Sequence, residues 1–274
     1  MHQRFCYACL LQLFCFVSAG SLLAQADNSP VTLGVRRTLR SKTLGETRSL
    51  LVRLPGDYEK SGRTYPVLYK LDGEQDVFLQ ASAVVQYLVD MTDKAPDHIV
   101  VGIENTVRAR DMEPGPGADK FIEFIRAELI PFVDRNYRTN GFRILAGQSS
   151  SAVFAGYAFL QDPRLFDAYI LSSLGLSQSG LELFEKTLAS SLHVRSAGRR
   201  CLFLAHGKMD PYDPDGSRTR NGAAFIARLR QTAPATVLIE QRTYDEEGHV
   251  PFPSLYDGLR WIYSHGPNRG RATN

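Results

Sequence analysis

The sequence predicts an α/β fold, with a mostly parallel central sheet, helices on both faces and antiparallel strands at its N-terminal side. Three observations carry that expectation. Short apolar runs rich in Val, Ile and Leu recur along the chain, as strands buried on both faces require. Between them lie stretches with apolar residues three and four apart, the period of a helix with one buried face. The 274 residues, 43% of them hydrophobic, supply one large core.

In chain order, Val31 to Arg40 and Leu50 to Leu54 alternate and suit an antiparallel pair at a sheet edge. The later strand-like runs are Val67 to Leu71, Ile99 to Ile103, Arg143 to Ala146, Ala168 to Leu171, Cys201 to Ala205 and Thr236 to Ile239. One helical pattern uses Val77, Phe78, Ala81, Val84, Val85 and Leu88; a second uses Phe121, Ile122, Ile125, Leu129 and Val133. Pro131 falls inside the second and is expected to kink or shorten it. Further helices are expected around Phe225 to Leu229 and Leu255 to Ile262. Gly175 to Gly198 holds a helix-like stretch suited to a small cap, and the tail after Gly266 is polar.

The first residues read as a secretory signal. Arg4 gives a positive start, Phe5 to Val17 is mostly apolar, and Ala24-Gln25-Ala26 offers a small-x-small cleavage site. The apolar stretch is too short to span a bilayer. The expected organisation is a signal over 1–26 and a single domain over 27–274, secreted or periplasmic, with no stable membrane span after cleavage. Cys6, Cys9 and Cys15 leave with the signal, and Cys201, inside an apolar run, is expected to be a buried, inert thiol. Loss of Arg4 takes the formal charge from +3 to +2, too even a balance for nucleic acid. The histidines and cysteines show no metal-ligand spacing, so no metal is expected. Nothing in the sequence assigns an oligomeric state.

In sheets of this kind ligands bind beyond the carboxyl ends of the strands. The run Ile144-Leu145-Ala146-Gly147-Gln148-Ser149-Ser150-Ser151 reads as a buried strand breaking sharply into a helix, with Ser149 at the break. Gly147 suits a turn that brings strand and helix backbones close together. A serine hydroxyl is a poor nucleophile at neutral pH and needs a base beside it. Among the six histidines, His249 in Glu247-Gly248-His249 follows the last strand and precedes the last helix. The carboxylate that orients the base is expected in the loop after Cys201 to Ala205, where Asp210 is the first choice, Asp213 the runner-up and Asp215 behind it. The backbone N–H groups of Ser150 and of Glu74, which follows the turn Asp72-Gly73, are the expected oxyanion donors.

With these pieces placed, the chain resembles the esterase branch of the α/β-hydrolases, which includes enterochelin-type siderophore esterases, esterase D-like enzymes and mycolyltransferases. The similar segments are Tyr65 to Gly73, Gly102 to Asp111 and Glu128 to Val133, together with the serine elbow and Glu247-Gly248-His249. The resemblance implies an α/β-hydrolase fold and a serine carboxylic-ester hydrolase that acts on small-molecule esters through an acyl-enzyme, without a cofactor. It assigns the chemistry to Ser149 and His249, assistance to Asp210, and an oxyanion donor to the residue after Asp72-Gly73.

Three positions depart from the family pattern. Family elbows usually run Gly-x-Ser-x-Gly-Gly, whereas this one ends in Ser151-Ala152. The loop after Asp111 is short, and the usual Ser-Pro-Ser after the next strand is Ser172-Ser173-Leu174. The last two changes alter the substrate side and weaken a specific claim to siderophore trilactones. A siderophore trilactone esterase or an acyltransferase is the alternative within the family. A non-catalytic binding protein on the same fold is the alternative from another class, and Ser151 is its support. Arg108 and Arg110 suit either an anionic substrate or a structural ion pair with Asp111.

Overall fold

Eight strands pair into one sheet: β1 (Val35–Arg40), β2 (Thr47–Arg53), β3 (Tyr65–Lys70), β4 (Ile99–Ile103), β5 (Thr139–Gln148), β6 (Ala168–Ser172), β7 (Arg200–Gly207) and β8 (Val237–Tyr244). Their spatial order is β1-β2-β4-β3-β5-β6-β7-β8. β1 pairs antiparallel with β2 and β2 antiparallel with β4, while every later pairing is parallel. This is the expected architecture, edge hairpin included. The computed structural model describes residues 29–191 and 199–266. The sheet and the site lie in one compact unit that begins at Leu33. The expected signal, the tail after Gly266 and residues 192–198 of the expected cap fall outside the described residues.

The parallel strands are apolar on both sides because both sides are covered. Val67, Tyr69, Leu145, Tyr169, Leu171, Leu202 and Leu204 face one core. Helices α4 (Pro116–Phe124), α5 (Ile130–Asn136), α6 (Ser150–Gln161), α7 (Gln178–Ser190) and α8 (Ser217–Thr232) close that side with Phe121, Val133, Phe154, Phe184 and Phe225. Leu68, Val100, Ile144, Ile170 and Phe203 face the other core, closed by α2 (Gln75–Tyr87) and the final helix α9 (Pro253–His265) through Phe78, Val85, Leu259 and Ile262. Two one-turn helices, α1 (Tyr58–Ser61) and α3 (Arg108–Met112), and a π-helical turn after α2, Leu88–Thr92, are also present.

The helix carries on through Pro131 to Asn136, with a change of period just before it. The chain passes from α4 into a π-helical turn, Ile125–Leu129, before α5 begins. The N–H of Ile130 reaches back five residues to the carbonyl of Ile125. The wider turn accommodates a residue that has no N–H to give. Cys201 is buried and unpaired, and burial pushes its thiol up to about 12, which keeps it protonated and inert.

Candidate active site

Ser149 lies between β5 and α6 with φ 55° and ψ −123°, a left-handed backbone that a residue with a Cβ rarely adopts. Two features hold it there. Its N–H donates to the carbonyl of Ser172 at 2.9 Å, extending the β5–β6 ladder through the bend. A Cβ on Gly147 would stand 2.2 Å from the carbonyl oxygen of Ser151, so only glycine lets the helix start so close over the strand.

The second loop is brought in by an equally close approach. A Cβ on Gly207, at the end of β7, would meet the carbonyl oxygens of Gly248 and Glu247 at 2.0 and 2.2 Å. The N–H of Lys208 donates to Tyr244 and that of Met209 to Glu247, both at 2.9 Å, lacing the loops after β7 and β8 together. His249 therefore meets both Ser149 and the loop that carries Asp210. Its Nε2 lies 2.8 Å from Ser149 Oγ, and its Nδ1 lies 2.7 Å from Asp210 Oδ2. With the ring proton on Nδ1, His249 donates to Asp210 and accepts from Ser149. The Tyr212 ring stands edge-on to the imidazole at 4.8 Å.

The three aspartates of this loop differ in what each carboxylate touches. Asp213 accepts from the N–H groups of Arg218 and Thr219, and Asp215 from that of Ser217, so both serve the start of α8. Asp210 accepts from the N–H of Tyr212 with one oxygen and faces His249 with the other. His206, at the end of β7, is buried beneath this loop; burial lowers its pKa, against the pull of Asp213 and Asp210, and keeps it neutral.

The N–H groups of Ser150 and Glu74 have no hydrogen-bond partner among the described residues. Ser150 lines the cavity beside Ser149. Glu74 does not; it begins α2 at the end of the neighbouring strand β3, and its carboxylate accepts from the backbone and side chain of Asn105. The turn before it is fixed by Asp72, a buried residue with φ 50°. Asp72 receives a bidentate pair from Arg108 at 2.7 and 2.8 Å, a bond from Asn105 at 2.9 Å and one from Ser151 Oγ at 2.7 Å. Burial raises its pKa, but the hydrogen bonds from Arg108, Asn105 and Ser151 outweigh this and hold the carboxyl below its usual range.

Two sequence expectations are refined here. Arg108 pairs with Asp72 instead of Asp111, while Arg110 binds Glu46 and Asp111, so both guanidinium groups have structural partners. Ser151, the departure from glycine, is wholly buried and ties the elbow to Asp72. Ser173 has φ 57° and its hydroxyl donates to the backbone carbonyl of His249. A proline at that position, with φ fixed near −65° and no hydroxyl, could make neither arrangement.

A cavity of about 470 Å³ opens on the relay. Ser149, His249 and Asp210 lie on one side; Leu176, Leu183 and Phe184 of the cap, Met112 of α3 and Pro114 of the loop after it form apolar walls. That volume is typical for a small-molecule site. The described residues contain no group of three or more His, Cys, Asp or Glu side chains placed to hold a metal ion.

A family model described as "Putative esterase" matches residues 41–247, about three quarters of the chain. The chain belongs to this esterase family. A crystal structure of an IroE-like serine hydrolase from Shewanella oneidensis matches the esterase with a TM-score of 0.75 at 31% identity, covering 84% of this chain and 80% of that one. The siderophore hydrolase EstA from Aspergillus nidulans matches with a TM-score of 0.69 at 19% identity, over 87% of this chain and 98% of that one. The enterobactin esterase Fes from Shigella flexneri matches with a TM-score of 0.64 at 20% identity, over 86% of this chain and 60% of that one. At those identities the last two speak for the fold alone. No curated protein matches the esterase. Among its described residues no helix is long and apolar enough to cross a membrane.

Proposed function

We propose that this esterase is an exported serine carboxylic-ester hydrolase that works through an acyl-enzyme, with Ser149 as nucleophile, His249 as base and Asp210 as its orienting carboxylate. The observation that carries the reading is the unbroken relay from Ser149 Oγ through the His249 ring to Asp210, at 2.8 and 2.7 Å, beside the cavity. Ser149 Oγ attacks the ester carbonyl carbon while His249 Nε2 takes its proton. The tetrahedral intermediate collapses, the carbon–oxygen bond to the alcohol breaks, and the imidazolium returns the proton to the departing alkoxide. Water then adds to the acyl-enzyme by the same route and releases the acid and the free serine. Asp210 fixes the Nδ1–H tautomer and stabilises the imidazolium without taking the proton. The unpaired N–H groups of Ser150 and Glu74 serve as oxyanion donors, each worth roughly 3 kcal/mol in the transition state. Every step uses groups of the chain and water, so no cofactor enters.

The apolar cap wall and the serine-rich rim of the cavity, Ser173, Ser177 and Ser179, favour compact esters of mixed polarity. Export rests on Arg4, the apolar run Phe5 to Val17 and Ala24-Gln25-Ala26. N-terminal sequencing of the periplasmic or secreted protein should begin at Asp27.

Turnover of 4-nitrophenyl acetate by wild type and Ser149→Ala tests the mechanism. A fall in kcat of about 10⁴-fold or more is expected for the variant, together with loss of labelling by a fluorophosphonate. Equal turnover by the two proteins would remove Ser149 from the reaction. Adding glycerol or a sugar as acceptor and analysing the products separates hydrolysis from acyl transfer.

A further inference from the structure

The first cavity lies on one side of the serine elbow; a second, of about 330 Å³, lies on the other. Gln148 and Val250 line it, the immediate chain neighbours of Ser149 and His249. Its walls are mixed: Val77, Ala81 and Val84 of α2, Ile170 of β6, and Phe252 and Leu255 from the loop after His249 into α9 are apolar, while Gln80, Ser172 and Ser254 are polar but uncharged. At its base stands Lys70, the last residue of the central strand β3, only 6% exposed. No acidic side chain lines this cavity.

Lys70 interrupts the apolar run of β3, and no carboxylate is bonded to its ammonium. Its Nζ donates to the carbonyl of Leu71 at 3.0 Å and reaches Gln148 Oε1 at 3.4 Å, two neutral acceptors for three donors. Among the described residues no carboxylate lies within 4.0 Å of it, although buried ammonium groups are ordinarily paired. Of the two carboxylates whose charge acts on it, Asp72 already accepts from Arg108, Asn105 and Ser151, and Glu74 accepts from Asn105.

We propose that the second cavity receives one arm of the ester and that Lys70 binds a carboxylate on that arm, so that the preferred substrates are esters carrying a free acid group. This rests on Ser149 being the nucleophile. The scissile carbonyl then sits on the ridge formed by the elbow and the His249 loop, with one arm in each cavity. An apolar body packs between α2 and α9 while its acid accepts the ammonium proton that Leu71 and Gln148 leave over. A charge-assisted bond of this kind to a buried ammonium favours the acid-bearing ester roughly tenfold or more over a neutral one of equal length.

The lysine also sets a pH limit. Burial lowers its pKa to about 8, against the opposing charges of Asp72 and Glu74 and with the help of Arg108. Neither α2 nor the segment from Val250 to Leu255 puts a titratable side chain into the cavity. The preference for an acid-bearing ester is therefore full below pH 7 and declines as pH rises through about 8.

The test compares ratios of kcat/KM, so that titration of the relay cancels. Mono-4-nitrophenyl esters of succinate, glutarate and adipate are set against the neutral butyrate, valerate and hexanoate, and 4-acetoxybenzoate against phenyl acetate, which covers an acid on either arm. In wild type one series should favour the acid by about tenfold or more at pH 6.5 and lose that advantage by pH 9.5. Lys70→Met should bring the ratio near one at all pH values, whereas Lys70→Arg should keep it and abolish its alkaline fall. A wild-type ratio near one at every pH, in both series, overturns the proposal, and this measurement needs no variant to fold. Hydrolysis of the neutral esters that is lost in Ser149→Ala shows separately that the nucleophile is right, so the two readings fail distinguishably.

Discussion

Removing the hydroxyl of Ser151 tests whether a chain of buried bonds holds the elbow against the turn that precedes Glu74. The side chain is 0% exposed and makes three close contacts: Asp72 Oδ2 at 2.7 Å, the Gln148 carbonyl at 2.8 Å and the Gln148 N–H at 2.8 Å. With one proton it donates to Asp72 or to the carbonyl, and it accepts from the N–H. Ser151→Ala leaves that N–H without this acceptor and takes one donor from Asp72, which keeps Arg108 and Asn105. A stranded buried donor costs about 1–3 kcal/mol and a bond to a charged acceptor is worth about 1.5–3 kcal/mol. Because Asp72 stays largely satisfied, the sum expected is about 2–3 kcal/mol. Ser151→Gly, which restores the family's usual residue, should do worse by about 1 kcal/mol from its lower helix propensity. Urea unfolding followed by circular dichroism reads the stability. Steady-state hydrolysis should show kcat falling roughly tenfold with KM nearly unchanged, because an oxyanion donor displaced with the turn acts chiefly in the transition state. Both variants unfolding within about 0.5 kcal/mol of wild type, with full kcat, would refute the reasoning.

Asp210→Asn should lower kcat by about 10³–10⁴-fold with little change in stability, whereas Asp213→Asn should cost about 1 kcal/mol of stability and leave kcat within a few-fold; the reverse pattern would exchange their roles. Gly147→Ala forces a Cβ to within 2.2 Å of a backbone oxygen, so a loss of about 1–3 kcal/mol and a drop of about 100-fold in kcat are expected from urea titration and ester hydrolysis. His98 is fully buried, receives the Tyr263 hydroxyl at 2.7 Å, and has its pKa lowered by burial to about 3. Its folded value lies below the unfolded 6.5, so between those limits the unfolded chain binds the extra proton. Stability is complete above pH 6.5 and falls by about 1.4 kcal/mol per pH unit down to about 3. Thermal melts of wild type and His98→Leu should show that acid limb flattened in the variant.

The sheet was legible in the sequence wherever burial on both faces leaves an unbroken apolar run. Ile99–Ile103 is the clearest case, and its bounds agree residue for residue. The bounds slip where this signature fades. β5 starts four residues before Arg143, because Thr139, Asn140 and Gly141 extend the ladder while facing solvent. β8 continues to Tyr244 through Glu240, Gln241 and Arg242, which are half-buried at the sheet edge and carry no apolar pattern. β1 starts only at Val35, since Val31 is wholly exposed. The positions of Ser149 and His249 could be found because each follows a strand at the ligand-binding edge. Asp210 and Asp213 could not be told apart, because they share one loop and their partners come from different elements: the His249 ring for one, the first turn of α8 for the other. Asp72, Ser151 and Ser173 were missed as supports because each acts on a residue at least 76 positions away, which no local pattern records.

Those three residues bear on whether the unusual elbow marks a decayed site. A hydrolase fold kept only for binding has no need of a serine in a left-handed bend, and a substitution that loosened the motif would leave buried polar atoms without partners. Here the opposite holds. The hydroxyl that replaces glycine at Ser151 is fully bonded and reaches Asp72, and the serine that replaces proline at Ser173 takes a backbone angle proline cannot adopt and holds the carbonyl of His249. Each departure adds a bond to a part that a hydrolytic mechanism needs rigid: one fixes the elbow against the turn before Glu74, the other fixes the loop that delivers the imidazole. The Ser149–His249–Asp210 distances of 2.8 and 2.7 Å are what such bracing would preserve. Ser151 therefore supports the catalytic reading, and the binding-protein alternative loses the one feature that favoured it.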